Sequence, residues 1–133
     1  MPIVLDVSIT VAWCLQDEES ESADRALDRL ESDEAVVPAL WWFELRNALV
    51  VNERRGRLAE TDSVAFLEEM DRLPIRLEER PGSSDLVLAL ARRHGLTVYD
   101  ASYLEAGLRH GAPVATLDRK LAAAAEAEGI GTL

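Results

Sequence analysis

The sequence predicts an α/β fold with a mostly parallel sheet covered by helices on both faces. Short apolar runs such as "PIVLD" and "EAVVP" alternate with helix-length stretches, the pattern of successive strand–helix units. No linker divides the 133 residues, so residues 1–133 read as one domain around one core. A third observation agrees with the first two. Asp6, Asp100 and Asp118 each follow an apolar run, and in a parallel sheet all strand C-termini share one edge.

The elements follow in order. "PIVLD" is a strand ending at Asp6, after which Ser8 is expected to cap a short helix reaching about Leu15. "SESADRALDRLES" is an amphipathic helix with Ala23, Ala26, Leu27 and Leu30 on one stripe. "EAVVP" is the second strand. Pro38, where a missing N–H costs little, opens a long helix that stops at Gly56. "ETDSVAFLEEMDRL" is a further helix. "PIRLEE" is a weak strand, placed at a sheet edge by Pro74 and its charges. "GSSDLVLALARRHG" is the next helix.

Two similar phrases then run to Asp100 and Asp118. "RHGLTVYD" and "RHGAPVATLD" each begin at a helix end and continue into a short apolar run that reads as a strand. His94 and His110 each precede a glycine of the kind that closes a helix, where a cationic side chain complements the helix dipole. Both histidines are therefore read as structural and not as metal ligands. "LAAAAEAEG" supplies the last helix. Each crossover should be right-handed.

Composition narrows the functional classes. Hydrophobic residues are 48% and charged residues 29%, which fits a soluble globular chain and not a disordered one. No apolar run is long enough to cross a bilayer, and "MPIVLDVSIT" lacks the basic start of a signal peptide, so the expected location is the cytoplasm with no membrane partner. The single cysteine, Cys14, allows no internal disulfide and sits among apolar residues, an inert packing position. The net charge of −11 argues against nonspecific nucleic-acid binding and favours bound cations or a basic protein partner.

The acids decide between these. Asp100 and Asp118 each precede helical sequence, and either alone could be an N-cap. An aspartate after "PIVL" is harder to dismiss, because a carboxylate at a buried strand end is costly without a partner. Glu44 adds a fourth acid on a helical stripe with Asn47, Ala48 and Val51. Four neighbouring carboxylates repel, so some would keep their protons unless a counter-ion intervened. A hard divalent ion, Mg²⁺ or Mn²⁺, resolves this through oxygen ligands, and it reverses the local field so that a phosphate substrate becomes compatible with an acidic protein. Arg46, Arg54, Arg55 and Arg57 form a local basic group that is either a solvated face or a guide for RNA. Trp13, Trp41 and Trp42 read as core or interface anchors.

At this point the residues resemble a family. "VLDVSITVAWCLQDE", "VPALWWFELRNAL" and "TVYDASYLEAGLRHGAPVATLDRKLAAAAEAEGI" together resemble PIN-domain ribonucleases of the VapC toxin type, over essentially the whole chain. The order carries the resemblance: Asp-x-Ser, Pro then Glu on a helix, Tyr-Asp-Ala, then Thr-x-Asp. It implies a three-layer α/β/α sandwich with strand order 3-2-1-4-5 and a metal-dependent endoribonuclease that cleaves cellular RNA. It also implies a homodimer neutralised by a small cognate antitoxin. By position, the resemblance makes Asp6, Glu44, Asp100 and Asp118 the catalytic, metal-binding acids, with Ser8, Thr116 and Asn47 supporting them. With no histidine placed as a general base, the expected products carry 5′-phosphate and 3′-hydroxyl ends. The antitoxin should reach the acids with an Arg or Lys, and the tryptophans should line the surface that receives it.

Two other readings compete. A phospho-acceptor receiver domain has similar size and acidity, but it needs an acidic pair after the first strand, and Asp6 is followed by Val7 and Ser8. A catalytically inactive interaction module could keep the fold, but four intact acids argue against it.

Overall fold

A computed structural model describes residues 1–15 and 20–133. Its elements are β1 (Ile3–Leu5), α1 (Val7–Cys14), α2 (Glu21–Arg29), β2 (Ala35–Val37), α3 (Leu40–Arg54), α4 (Glu60–Met70), β3 (Ile75–Leu77), α5 (Ser84–His94), α6 (Val98–His110), β4 (Val114–Ala115) and α7 (Arg119–Ala127). The strands form one parallel sheet in the order β3-β2-β1-β4, with Val4 opposite Val36 on one side and Val114 on the other. β1 and β2 are wholly buried, as interior strands of a helix-covered sheet must be, whereas the edge strand β3 is largely exposed.

The expected 3-2-1 arrangement is present. The expected fourth strand is not. The run before Asp100 enters α6, because the Thr97 hydroxyl accepts the Asp100 backbone N–H at 3.1 Å and caps the helix. Consequently the run before Asp118 becomes β4 and pairs directly with β1. Beyond β4, Thr132 makes an isolated parallel bridge to Val114, and no fifth strand is formed among the described residues.

Ser8 is the second correction. Asp6, not Ser8, occupies the N-cap position of α1, and the Ser8 hydroxyl turns back to the Asp6 carboxylate instead of capping α1. In α2, Ala23, Ala26 and Leu30 are buried as expected, but Leu27 lies at the stripe's margin and is exposed. Trp41 is also corrected. It is buried in the core with its indole N–H donating to the Thr10 hydroxyl at 3.0 Å, so it is not available to a partner.

The core joins strand residues to Ile9, Leu45, Leu90, Leu104 and Leu121, drawn from helices on both faces. α5 and α6 end as the sequence implied, at Gly95 and Gly111 with φ of 61° and 60°, the left-handed conformation that glycine adopts without a Cβ penalty. His94 pairs with Glu128 at 2.6 Å and His110 with Glu78 at 3.2 Å. Burial pushes the Cys14 thiol up, and Asp62 and Glu69 add to this, so it stays protonated. Among the described residues no helix is long and apolar enough to cross a membrane.

Gly82, in the turn between β3 and α5, packs flat against the Glu105 carboxylate, and a Cβ there would overlap it. Arg109 holds that carboxylate at 2.8 Å and hinders its escape. Gly82→Ala should therefore cost about 1–3 kcal/mol, the range for forced overpacking. Chemical denaturation checks this, and an unchanged midpoint would mean that Glu105 can move aside freely.

Candidate active site

The chain's four conspicuous acids arrive from four different places. Asp6 directly follows β1 and is buried at the sheet's C-terminal edge. Glu44 lies in the first turns of α3 and is half-buried. Asp100 sits in the first turn of α6, where an acid complements the positive end of the helix dipole. Asp118 follows β4 and is exposed.

Asp6 is fixed by hydroxyls. Ser8 donates to its Oδ2 at 2.6 Å, and Thr116 donates to the same oxygen at 2.7 Å. These hydroxyls accept in turn, Ser8 from the Leu117 N–H at 2.9 Å and Thr116 from the Asp118 N–H at 3.0 Å. The β1 and β4 ends are thereby stitched together. Asp118 does act as an N-cap: its Oδ1 accepts from the N–H groups of Lys120 and Leu121 at 2.8 and 3.2 Å. Glu44 receives a 2.5 Å hydrogen bond from the Tyr103 hydroxyl. Sequence reasoning did not single out Tyr103; a tyrosine one turn after Asp100 in a buried helix was the available signal. Asn47 lies one turn beyond Glu44 on an exposed part of α3 and is not drawn into the group.

The electrostatics tie the acids together. Asp6 is held above the usual carboxylate range first by burial, with Asp118 adding repulsion against the lowering effect of the two hydroxyls. Burial also raises Glu44, and both Asp6 and Asp100 push it further while Tyr103 opposes them. Asp100 rises through burial, then through Asp6 and Asp118, with Thr97 and Lys120 acting the other way. None of the four makes an ion pair with Lys, Arg or His among the described residues.

An acidic group of this kind, without ion pairs among the described residues and with only Lys120 offsetting the repulsion at Asp100, fits a cation. The donors are all oxygen, which matches Mg²⁺ or Mn²⁺ and not zinc. Among the described residues, however, no three acids already stand in metal-holding geometry. The two observations are compatible, since Mg²⁺ keeps several waters and takes only one or two carboxylates directly.

The fold has counterparts in known proteins. The family model of the PIN domain matches residues 3–127. The chain belongs to the PIN-domain family. Ribonuclease VapC3 of Pyrobaculum aerophilum is 36% identical to this PIN domain over 124 residues, 92% of this chain and 93% of that protein. The crystal structure of PAE2754 from Pyrobaculum aerophilum matches it with a TM-score of 0.70 and 26% identity, across 93% of this chain and 87% of that one. FitAcB from Neisseria gonorrhoeae matches with a TM-score of 0.63 and 20% identity, across 95% and 94%, a likeness of fold alone. The receiver-domain reading falls with this family membership.

Away from the acids, Trp13, Leu15, Leu58 and Phe66 line an open groove of about 500 Å³ between α1 and α4. None of the four acids borders it. Trp42 is exposed, with Phe43 edge-on at 4.9 Å and the Arg46 guanidinium 3.8 Å over its ring.

Proposed function

We propose that this PIN domain is an endoribonuclease toxin of the VapC type that hydrolyses phosphodiester bonds of cellular RNA in a Mg²⁺- or Mn²⁺-dependent reaction. The observation that carries this reading is the mutually repelling group of Asp6, Glu44, Asp100 and Asp118, none of which forms an ion pair among the described residues, with only Lys120 acting on Asp100 from a distance. The 36% identity to a ribonuclease VapC3 supports it.

Asp6, Glu44, Asp100 and Asp118 would hold the ion. When bound, Mg²⁺ or Mn²⁺ supplies a water of lowered pKa and a counter-charge for the phosphate. The chain's own part is placement. Ser8 and Thr116 orient Asp6 by donating to one oxygen, and they offset part of the burial that raises its pKa. Asp118 spends one oxygen on its helix cap and keeps the other for the site. Asn47, on the exposed side of α3, would reach substrate or solvent rather than the acids. No histidine stands near the acids, since His94 and His110 pair with Glu128 and Glu78. Attack by water with departure of the 3′-oxygen therefore yields 5′-phosphate and 3′-hydroxyl ends.

The partner proposal follows from charge. A small antitoxin would neutralise the site by extending an Arg or Lys to the acids, since a guanidinium pairs bidentately with a carboxylate. Its apolar segment would cover Trp42 or the Trp13 groove. The toxin itself is proposed to act as a cytoplasmic homodimer. The test incubates purified protein with mixed cellular RNA, with and without Mn²⁺ or Mg²⁺, and maps the new ends. Cleavage that requires the ion and leaves 5′-phosphates is expected. Products with 2′,3′-cyclic phosphate, or activity undiminished by EDTA, would refute it.

A further inference from the structure

Tyr103 is the largest completely buried side chain among the described residues. It lies on α6 one helical turn after Asp100, so the two project from neighbouring positions of one face. A buried phenol must give its proton to an acceptor, and a backbone carbonyl would serve for packing alone. Tyr103 instead gives it to Glu44, 59 residues earlier in the chain, at 2.5 Å. The bond goes to Oε1, and no other side chain donates to Glu44 among the described residues. Half of the carboxylate is thus engaged from the interior, while its charge is felt by Asp6 and Asp100.

We propose that Tyr103 is a positioning residue, whose buried hydroxyl pins Oε1 of Glu44 and thereby presents the other carboxylate oxygen to a divalent cation shared with Asp6 and Asp100. The inference rests on reading the acidic edge as a cation-dependent nuclease site. It assigns α6 two tasks, carrying one acid of the group and orienting another. A carboxylate locked by one oxygen loses less rotational freedom when it binds an ion, and partners of this outer kind typically account for ten- to hundredfold in metal affinity.

The experiment measures Mn²⁺ binding to the full chain by calorimetry, without RNA, alongside cleavage. Tyr103→Phe removes the hydroxyl and keeps the ring. It should weaken Mn²⁺ about 10–100-fold. Cleavage should fall at limiting Mn²⁺ and recover as Mn²⁺ is raised, a rescue that damage to packing would not allow. In a Glu44→Gln background, where the anchored carboxylate is already gone, adding Tyr103→Phe should weaken Mn²⁺ no further. Unaltered Mn²⁺ affinity in Tyr103→Phe, or effects of the two substitutions that simply add, would overturn the inference. An unaltered chain that binds no Mn²⁺ and cuts no RNA overturns the functional reading and this inference together. If it does both while Tyr103→Phe is unchanged, the inference alone fails. The unaltered chain also gives a test without substitution. The trapped Tyr103 hydroxyl proton should appear as a slowly exchanging downfield NMR resonance that shifts on adding Mg²⁺. Absence of that resonance, or its indifference to Mg²⁺, counts against the proposal.

Discussion

Asp6→Asn is expected to reduce RNA cleavage by more than about 100-fold, beyond the loss that outer partners of a metal site already produce. The same substitution should leave the metal-free fold intact and raise its unfolding midpoint at neutral pH. Asparagine keeps an oxygen to accept from Ser8 and Thr116, so the stitching of β1 to β4 survives. What disappears is a buried negative charge facing Asp118, the combination that lifts Asp6 above its ordinary value of 3.8. A carboxyl whose folded pKa is raised favours folding most while it is protonated. That contribution is lost as pH rises through the folded value. The gain from Asp6→Asn should accordingly be full above the raised pKa and vanish below about 3.8. Melting curves from pH 3 to 8 in EDTA, beside a cleavage assay in Mn²⁺, read both effects. Unfolding of the variant at neutral pH would make Asp6 a structural hydrogen-bond partner and remove the main support for the site.

That Asp6 could be singled out at all reflects what a sequence displays well. Local signals were legible: Pro74 before an edge strand, the glycines closing α5 and α6, and an acid stranded after "PIVL". The failed strand before Asp100 has a local cause too. "TVYD" holds β-branched and aromatic residues, but also the Thr-x-x-Asp spacing of a helix start, and the cap prevailed because α6 buries its following turns against the sheet. Long-range pairs were not legible. Thr116 reaches Asp6 across 110 positions and Tyr103 reaches Glu44 across 59, and no periodicity within either segment announces its partner. The acids could be named from their strand and helix ends, and Ser8 and Thr116 from the family resemblance, whereas Tyr103 as the partner of Glu44 required the packed structure.

A second such network governs stability away from the acids. Glu105 is nearly fully buried on α6, and its charge is met by Arg109 one turn later, at 2.8 Å to Oε1 and 3.0 Å to Oε2. The same guanidinium forks onto Glu78 just past β3, at 2.6 and 2.9 Å. Arg109→Met should keep most of the stem's packing but leave Glu105 buried without its cation. Breaking a buried pair in this way costs roughly 3–5 kcal/mol. Arg109 is itself 37% exposed, so water can enter the gap, and a loss of about 3 kcal/mol, or about 10 °C in melting midpoint, is expected. Glu105→Leu added to Arg109→Met should recover much of the loss, because no buried charge then remains. Acidification supplies the sign. Arg109, and secondarily His110, hold Glu78 below its ordinary 4.5, so this part of the stability is complete above that pH and is lost as pH falls through the lower folded value. The gap between Arg109→Met and the unaltered chain should therefore narrow below about pH 4.5. Matching midpoints for the two proteins at neutral pH would show that Glu105 tolerates isolation. The clamp would then not be what holds α6, with Asp100 and Tyr103 upon it, in register with the sheet edge.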